Sequence, residues 1–519
     1  MKKILLALVV LTLSIAFLVG CGNGDEAPNT VTVWFMGGTV EYDGDVVEAA
    51  NARLQELGVN VEINPVWTGG WGMGEPAQVA LDTGDSSIDV VWTGSWGLDF
   101  WVNARVGNFV RLDDPDNNLL AQYGQAMRAA VPQDLWDAFT IDGPSGLGIY
   151  GVPGYKDYAQ MYAWDVNNTR LSELGFDFYD LFDPDGVNYA VFFDPMFEAA
   201  LQAAKDTWGP TFFPLTIEPE LFARAASNAD FDLTGLHVFN FGFNPENPAN
   251  PAEPVIGLNL ENDLYLRILE RLHHFFNQGF IDPRLAIPGE AATVLVEARN
   301  AGEYLFSQIV YAYGHSATAS EAREIDARFP PMSRPIVSSV SAAGSGFAIS
   351  VYSQNQVAAM QFLNAWYTDN ELAVILSEGL EGTHWNWYVD EDGTSWDGQL
   401  LELDPTGRAS FSPWRFGMGN IFVLTPRNTD GLGYFERFGA YNAAGIGTGL
   451  LGFTFNSENV SSEMAALTGV VGEFNQALTV GATNPAEIVP QYLEALRANG
   501  IGIVMEELNS QIQAFLAAR

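Results

Sequence analysis

The chain has 519 residues and carries 64 acidic against 23 basic side chains, a formal net charge of −41, with 13% aromatic and only 17% charged residues. Such a composition excludes a disordered chain and suffices for two or three domains with real cores. The charge argues against nucleic acid and anionic lipid headgroups as partners, because the surface would repel both; it suits an exported protein in high salt, and leaves a cationic partner open.

The N-terminus reads Met1-Lys2-Lys3 and then an apolar run from Ile4 to Gly20, too short and wrongly flanked for a stable membrane span and patterned as a secretory signal. The run closes Leu18-Val19-Gly20-Cys21, which resembles the bacterial lipobox, in which the cysteine is lipidated and becomes the first mature residue. Cys21 is the sole cysteine, so no intramolecular disulfide can form. Residues 21–30 read as a flexible tether, so that a lipidated terminus would hold a soluble body at a membrane surface.

Val31–Phe35 reads as a first strand. Apolar residues at Val46, Val47, Ala50, Leu54 and Leu57 predict a helix closed by Gly58, and Val59–Val66 alternates as a second strand. A helix near Pro76–Leu81 precedes the run Ile88 to Trp96, a buried strand leading into the turn Thr93-Gly94-Ser95-Trp96. This alternation implies a parallel sheet with right-handed crossovers. Trp34, Trp67, Trp92 and Trp96 stand near glycines at the strand ends, and ligands of open α/β sheets bind past the carboxyl ends of strands, so the indoles are expected to form a binding rim. Further on, Asp263–Gly279 is a long amphipathic helix. His273 and His274 point about 100° apart on it, a poor metal pair.

The order of motifs carries a resemblance. Asp89 to Trp96 (DVVWTGSW) is followed by Leu112-Asp113-Asp114, Pro132 with Trp136, Gly148 to Pro153 (GIYGVP) and Met161 to Asp165 (MYAWD). Later come Gly279 to Asp282 (GFID), Ser345 to Asp369 with Ala359-Met360 and Phe362-Leu363-Asn364, and Glu378 to Trp385 (EGLEGTHW). The tail Leu450 to Phe455, Leu496 to Ile501 and Glu507 to Ile512 completes it, with Asn456 where an acidic residue is usual. The series resembles the extracellular solute-binding proteins of bacterial ABC importers, in the carbohydrate-type, LipO-like lipoprotein group. It implies an α/β, two-lobed periplasmic-binding-protein-like fold of type II, each lobe a mostly parallel sheet flanked by helices with a hinge between. The expected organisation is 31–155 first lobe, 156–333 second lobe, 334–380 return to the first lobe, and 381–519 second-lobe return plus a C-terminal helical region. A loop rich in proline and asparagine is expected at Asn244–Pro254.

A pyranose offers an apolar face to an indole, and its hydroxyls need donors and acceptors. The ligand-binding residues expected are therefore Trp67, Trp71, Ser95, Trp96, Tyr155, Tyr158, Glu381, His384 and Trp385. The expected function is capture of a sugar or oligosaccharide by hinge closure and delivery to the membrane subunits of an ABC permease, by a monomer held at the outer membrane face through Cys21, with no cofactor and no metal. Glycoside hydrolysis and peptide import are the alternatives. No catalytic signature such as Gly-x-Ser-x-Gly, His-Glu-x-x-His or a P-loop occurs, which favours binding over catalysis.

Overall fold

The computed structural model describes residues 27–518 apart from 42, 69–73, 185, 218–228, 231–232, 244–253, 312, 314–319 and 321–322. Cys21, the signal segment, most of the tether, Trp71 and nearly all of the expected Asn244–Pro254 loop lie outside the described residues.

The first lobe is built on a five-stranded sheet in the order Val61–Trp67, Asn29–Phe35, Val90–Thr93, Gly346–Ile349, Val152–Pro153. The first three strands pair in parallel, in agreement with the alternating pattern, and Gly346–Ile349 runs antiparallel to Val90–Thr93. Its antiparallel direction follows from its path, since it arrives from the second lobe rather than through a crossover helix. Helix Gly44–Glu56 buries Val46, Ala50 and Leu54, spaced four apart, against the sheet. Its Arg53 forms a two-pronged ion pair with Asp369, which caps the helix Asn370–Glu378. Asp89 is buried scaffold, accepting from the Thr32 amide at 2.8 Å.

Among the described residues, three large hydrophobic cores are distinct, beside a small cluster of Ala163, Ala327 and Phe329. The first joins residues 31–159 with 337–438, the second gathers residues 162–306, and the third packs the hairpin around Leu236–Leu260 against the C-terminal helices Ser461–Thr479, Pro485–Ala498 and Ile501–Ala517. Residues 385–438 therefore belong to the first lobe, not to the expected second-lobe return. Trp385, Leu401, Met418, Ile421 and Phe438 are sealed in the first core, and Phe411–Pro413 pairs with Gly38–Val40. The second lobe's sheet, in the order Ala327–Arg328, Met161–Asn167, Phe306–Tyr311, Leu215–Thr216, also differs from expectation, with a single parallel pairing. Met161–Asn167 leads away from the crossing and Phe306–Tyr311 leads back toward it, so the two central strands must run in opposite directions.

The lobes are joined near residues 152–161, 335–346 and 443–450, where Ile336–Val337 pairs in parallel with Ile446–Gly447. Asn442 knits two crossings together, donating to the Lys156 carbonyl at 2.8 Å and accepting from the Ala159 amide at 3.3 Å. His273 and His274 serve helix packing, against the Gly481 carbonyl and Glu198 respectively, each at 2.8 Å. Asn456 joins the last helix through a reciprocal pair of hydrogen bonds with Gln511.

Candidate functional site

Where the strand Val90–Thr93 ends, the chain turns tightly before helix Phe100–Val106. The Thr93 hydroxyl donates to the Leu98 carbonyl at 2.5 Å, and Leu98 sits in the left-handed region (φ 40°), a conformation costing about 1–2 kcal/mol for a side-chain-bearing residue. Gly94 is required by contact, because a Cβ there would lie 2.9 Å from the Gly344 carbonyl oxygen. Asp99 caps the helix by accepting from the Val102 amide at 2.9 Å.

This turn forms one wall of a cavity of about 670 Å³, within the usual range of small-molecule sites. Ser95, Trp96, Asp99, Trp101 and Arg105 come from the first lobe, Val310 from the second, and Gln160, Val340 and Gly344 from the crossings. Thr234, His237, Thr454, Phe455 and Ser457 come from the third cored unit. The cavity thus lies where the three cores meet.

The wall is locked to the crossing. The Ser95 amide donates to the Ala343 carbonyl at 2.9 Å, the Ser95 hydroxyl to the Val340 carbonyl at 2.8 Å, and the Trp96 indole N–H to the Gly344 carbonyl at 2.6 Å. Trp96 is nonetheless 50% exposed, packed edgewise on Trp92 and Trp414 with ring centroids 5.1 and 5.7 Å away. Its N–H is spent on orienting the ring, which leaves apolar surface on the wall. Opposite charges meet beside it. Burial pushes the Asp99 carboxyl above its ordinary range, outweighing the Val102 and Trp101 amides and Arg105. Burial likewise lowers the Arg105 guanidinium, against the attraction of Asp99 and Asp142. Arg105 spans to the third unit, donating to the Phe455 carbonyl at 3.1 Å and to both the carbonyl and the hydroxyl of Thr454.

Of the residues expected in the site, the structure brings Ser95 and Trp96 onto the cavity. The others that are described do not line it. Trp67 stacks on Phe35 at 4.4 Å and donates its indole N–H to Asp43 at 2.7 Å. Trp34 and the fully buried Trp92 belong to packing too, so the expected rim of indoles narrows to Trp96. Tyr155 stacks on Phe422 at 4.1 Å beside the crossing, and burial raises the buried Tyr158 phenol to about 12. The Glu381–Trp385 turn is a correction. Glu381 faces solvent at the first-lobe surface. His384 is buried against Phe411 and accepts the Leu380 amide at 2.9 Å through Nδ1, and burial lowers its pKa, so it is held neutral as a packing residue. Trp385 is buried, with its indole N–H on the Gly379 carbonyl at 3.0 Å.

Sequence reasoning missed Asp99, Trp101 and Arg105, although they follow Trp96 within ten residues and a polar cap opening a helix after such a turn was readable. It also missed Gln160, Thr234, His237, Thr454 and Ser457, which no local pattern could have connected.

Comparison with known proteins follows the same lines. Residues 449–517 match a family model described as a domain of unknown function (DUF3502), and this stretch contains the three C-terminal helices. A protein of Streptococcus pneumoniae serotype 4 named carbohydrate ABC transporter substrate-binding protein is 23% identical, the match covering 96% of each chain. Among solved structures, the N-glycan transport solute binding protein NgtS of S. pneumoniae superposes with a TM-score of 0.76 at 21% identity, over 94% of this chain and 99% of that one. The same protein in complex with Man5GlcNAc gives 0.69 at 20% identity, over 95% and 99% of the two chains. The chain has the two-lobed α/β fold of the extracellular solute-binding proteins.

Proposed function

We propose that this chain is the saccharide-capturing component of an ABC importer, which takes a sugar or oligosaccharide into the cavity, closes about the hinge and presents the closed form to a membrane permease. A lipid on Cys21 would hold it at the outer face of the membrane. The observation that carries the reading is the cavity at the meeting of the three cores, with the half-exposed Trp96 ring held on its wall by the crossing. An indole beside hydroxyl, amide and carboxylate groups matches a pyranose, which has an apolar face and a rim of hydroxyls. The likeness to a carbohydrate substrate-binding protein and to an N-glycan-binding one supports it. Because both lobes and the crossings line the site, a ligand touching all of them favours the closed state through its extra contacts there.

Glycoside hydrolysis needs two carboxylates facing across the bond to be cut. Asp99 is the one carboxylate among the described lining residues, which favours capture over cleavage. A thermal-shift screen of glycans and peptides tests the ligand class, since a ligand that binds only the folded state raises the melting temperature. The reading expects stabilisation by an oligosaccharide and none by peptides. Small-angle scattering with that oligosaccharide should then show a smaller radius of gyration, and an unchanged radius at saturation would contradict closure.

A further inference from the structure

The charges on the cavity wall deepen the saccharide reading, and the inference rests on it. Asp99 is exposed on the wall, and the protein around it still raises its carboxyl above the ordinary range through partial loss of water. The cations nearby are already engaged. Arg105 directs its terminal nitrogens at the carbonyls of Thr454 and Phe455 and at the Thr454 hydroxyl, and its charge faces Asp99 and Asp142. Lys156 lies behind Gly344, where an added Cβ would come within 3.8 Å of its ammonium, but it is buried and paired with Asp157 at 2.6 Å. Around all of this stands a chain of net charge −41, whose overall field disfavours the approach of anions.

We infer that the cavity selects uncharged saccharides and rejects those carrying carboxylates, with Asp99 as the residue that sets the selection. A sugar hydroxyl donates well to a carboxylate, whose oxygens accept several hydrogen bonds. A uronate in the same place brings a second anion to Asp99, while the Arg105 charge is already offset by Asp99 and Asp142 and its terminal nitrogens already donate to Thr454 and Phe455. Like charges set face to face are how recognition sites exclude wrong partners.

The test is a glycan array in which neutral manno-, gluco- and galacto-oligosaccharides each stand beside their C6-oxidised, uronate counterparts, read with the full mature chain. Among the described lining residues His237 is the other basic side chain, so binding is measured at pH 8, where imidazoles are largely uncharged. The neutral member of a bound pair should be favoured by about tenfold or more. That preference should shrink as salt is raised, because screening weakens the repulsion. Asp99→Asn keeps a good helix cap while removing the charge, and should narrow the ratio several-fold toward the uronate. Uronates binding as tightly as their neutral partners would overturn the inference, as would a ratio unmoved in an Asp99→Asn protein that melts like the wild type. If no saccharide on the array binds, it is the proposed function that has failed.

Discussion

Two turns of the first lobe use the same materials and meet opposite fates. In Thr93–Asp99, glycine, serine and tryptophan follow a buried strand, and the tryptophan ends half exposed on a cavity shared with the second lobe. In Glu378–Trp385, glycine, glutamate, histidine and tryptophan follow a helix, and the histidine and tryptophan end 6% exposed. Each tryptophan gives its N–H to a backbone carbonyl. For Trp96 that carbonyl belongs to Gly344 in the crossing, so the ring is posed at the junction of the lobes. For Trp385 it belongs to Gly379 six residues earlier, so the turn closes on itself and the strand Phe411–Pro413 and its flanks cover it. Composition suggests recognition in both places, and what packs over the turn decides which one is available for it.

The sealed turn is anchored on Glu378, fully buried among Arg427, Arg415 and Arg408 at 2.8, 3.5 and 3.5 Å. Glu378→Ala would take the shared carboxylate away from Arg427 and Arg408 and leave Arg415 only Asp430, and should cost about 3–5 kcal/mol of stability, read as a large fall in denaturant midpoint. No comparable loss is expected from Ser95→Ala or Trp96→Ala, the two side chains that face the cavity, and finding one there would erase the contrast. A smaller effect is expected for Trp385→Phe, which deletes the bond to the Gly379 carbonyl and should cost about 1–3 kcal/mol while the folded protein keeps its ligand affinity. The smallest effect is in acid. Burial pushes Glu378 up, but the three arginines outweigh it and hold the carboxylate below its ordinary value of 4.5. Its stabilisation is therefore complete above pH 4.5 and is lost as the pH falls through the lower folded value. His384, lowered by burial from 6.5, adds a loss that begins as the pH drops below 6.5, because the unfolded ring takes up its proton first. A melting temperature whose change between pH 7 and 5 is the same in His384→Phe as in the wild type would contradict the buried assignment of His384.

Much of the first lobe was legible in the sequence because its signals are local. Val46, Ala50 and Leu54 fix a helix face, and Val90 and Val91 a doubly covered strand. The turn at Ser95 and Trp96 was legible for the same reason. The membership of residues 385–438 was not, because it depends on Phe411–Pro413 pairing with Gly38–Val40 some 370 residues away in the chain. The direction of the second-lobe strands was hidden too, since an antiparallel pair made by a returning crossing has the same residue pattern as a parallel one. Arg105 has a local position but a distant meaning, which comes from Thr454 and Phe455.

The central claim is that the Thr93–Asp99 turn is the recognising wall and the Glu378–Trp385 turn is not. Titration calorimetry of Trp96→Ala and Trp385→Phe with the oligosaccharide that most stabilises the wild type tests it most directly. The account predicts that Trp96→Ala melts cooperatively but binds at least about tenfold more weakly, roughly 1.4 kcal/mol, while Trp385→Phe binds like the wild type. Wild-type affinity in Trp96→Ala, or a loss found in folded Trp385→Phe alone, would contradict it.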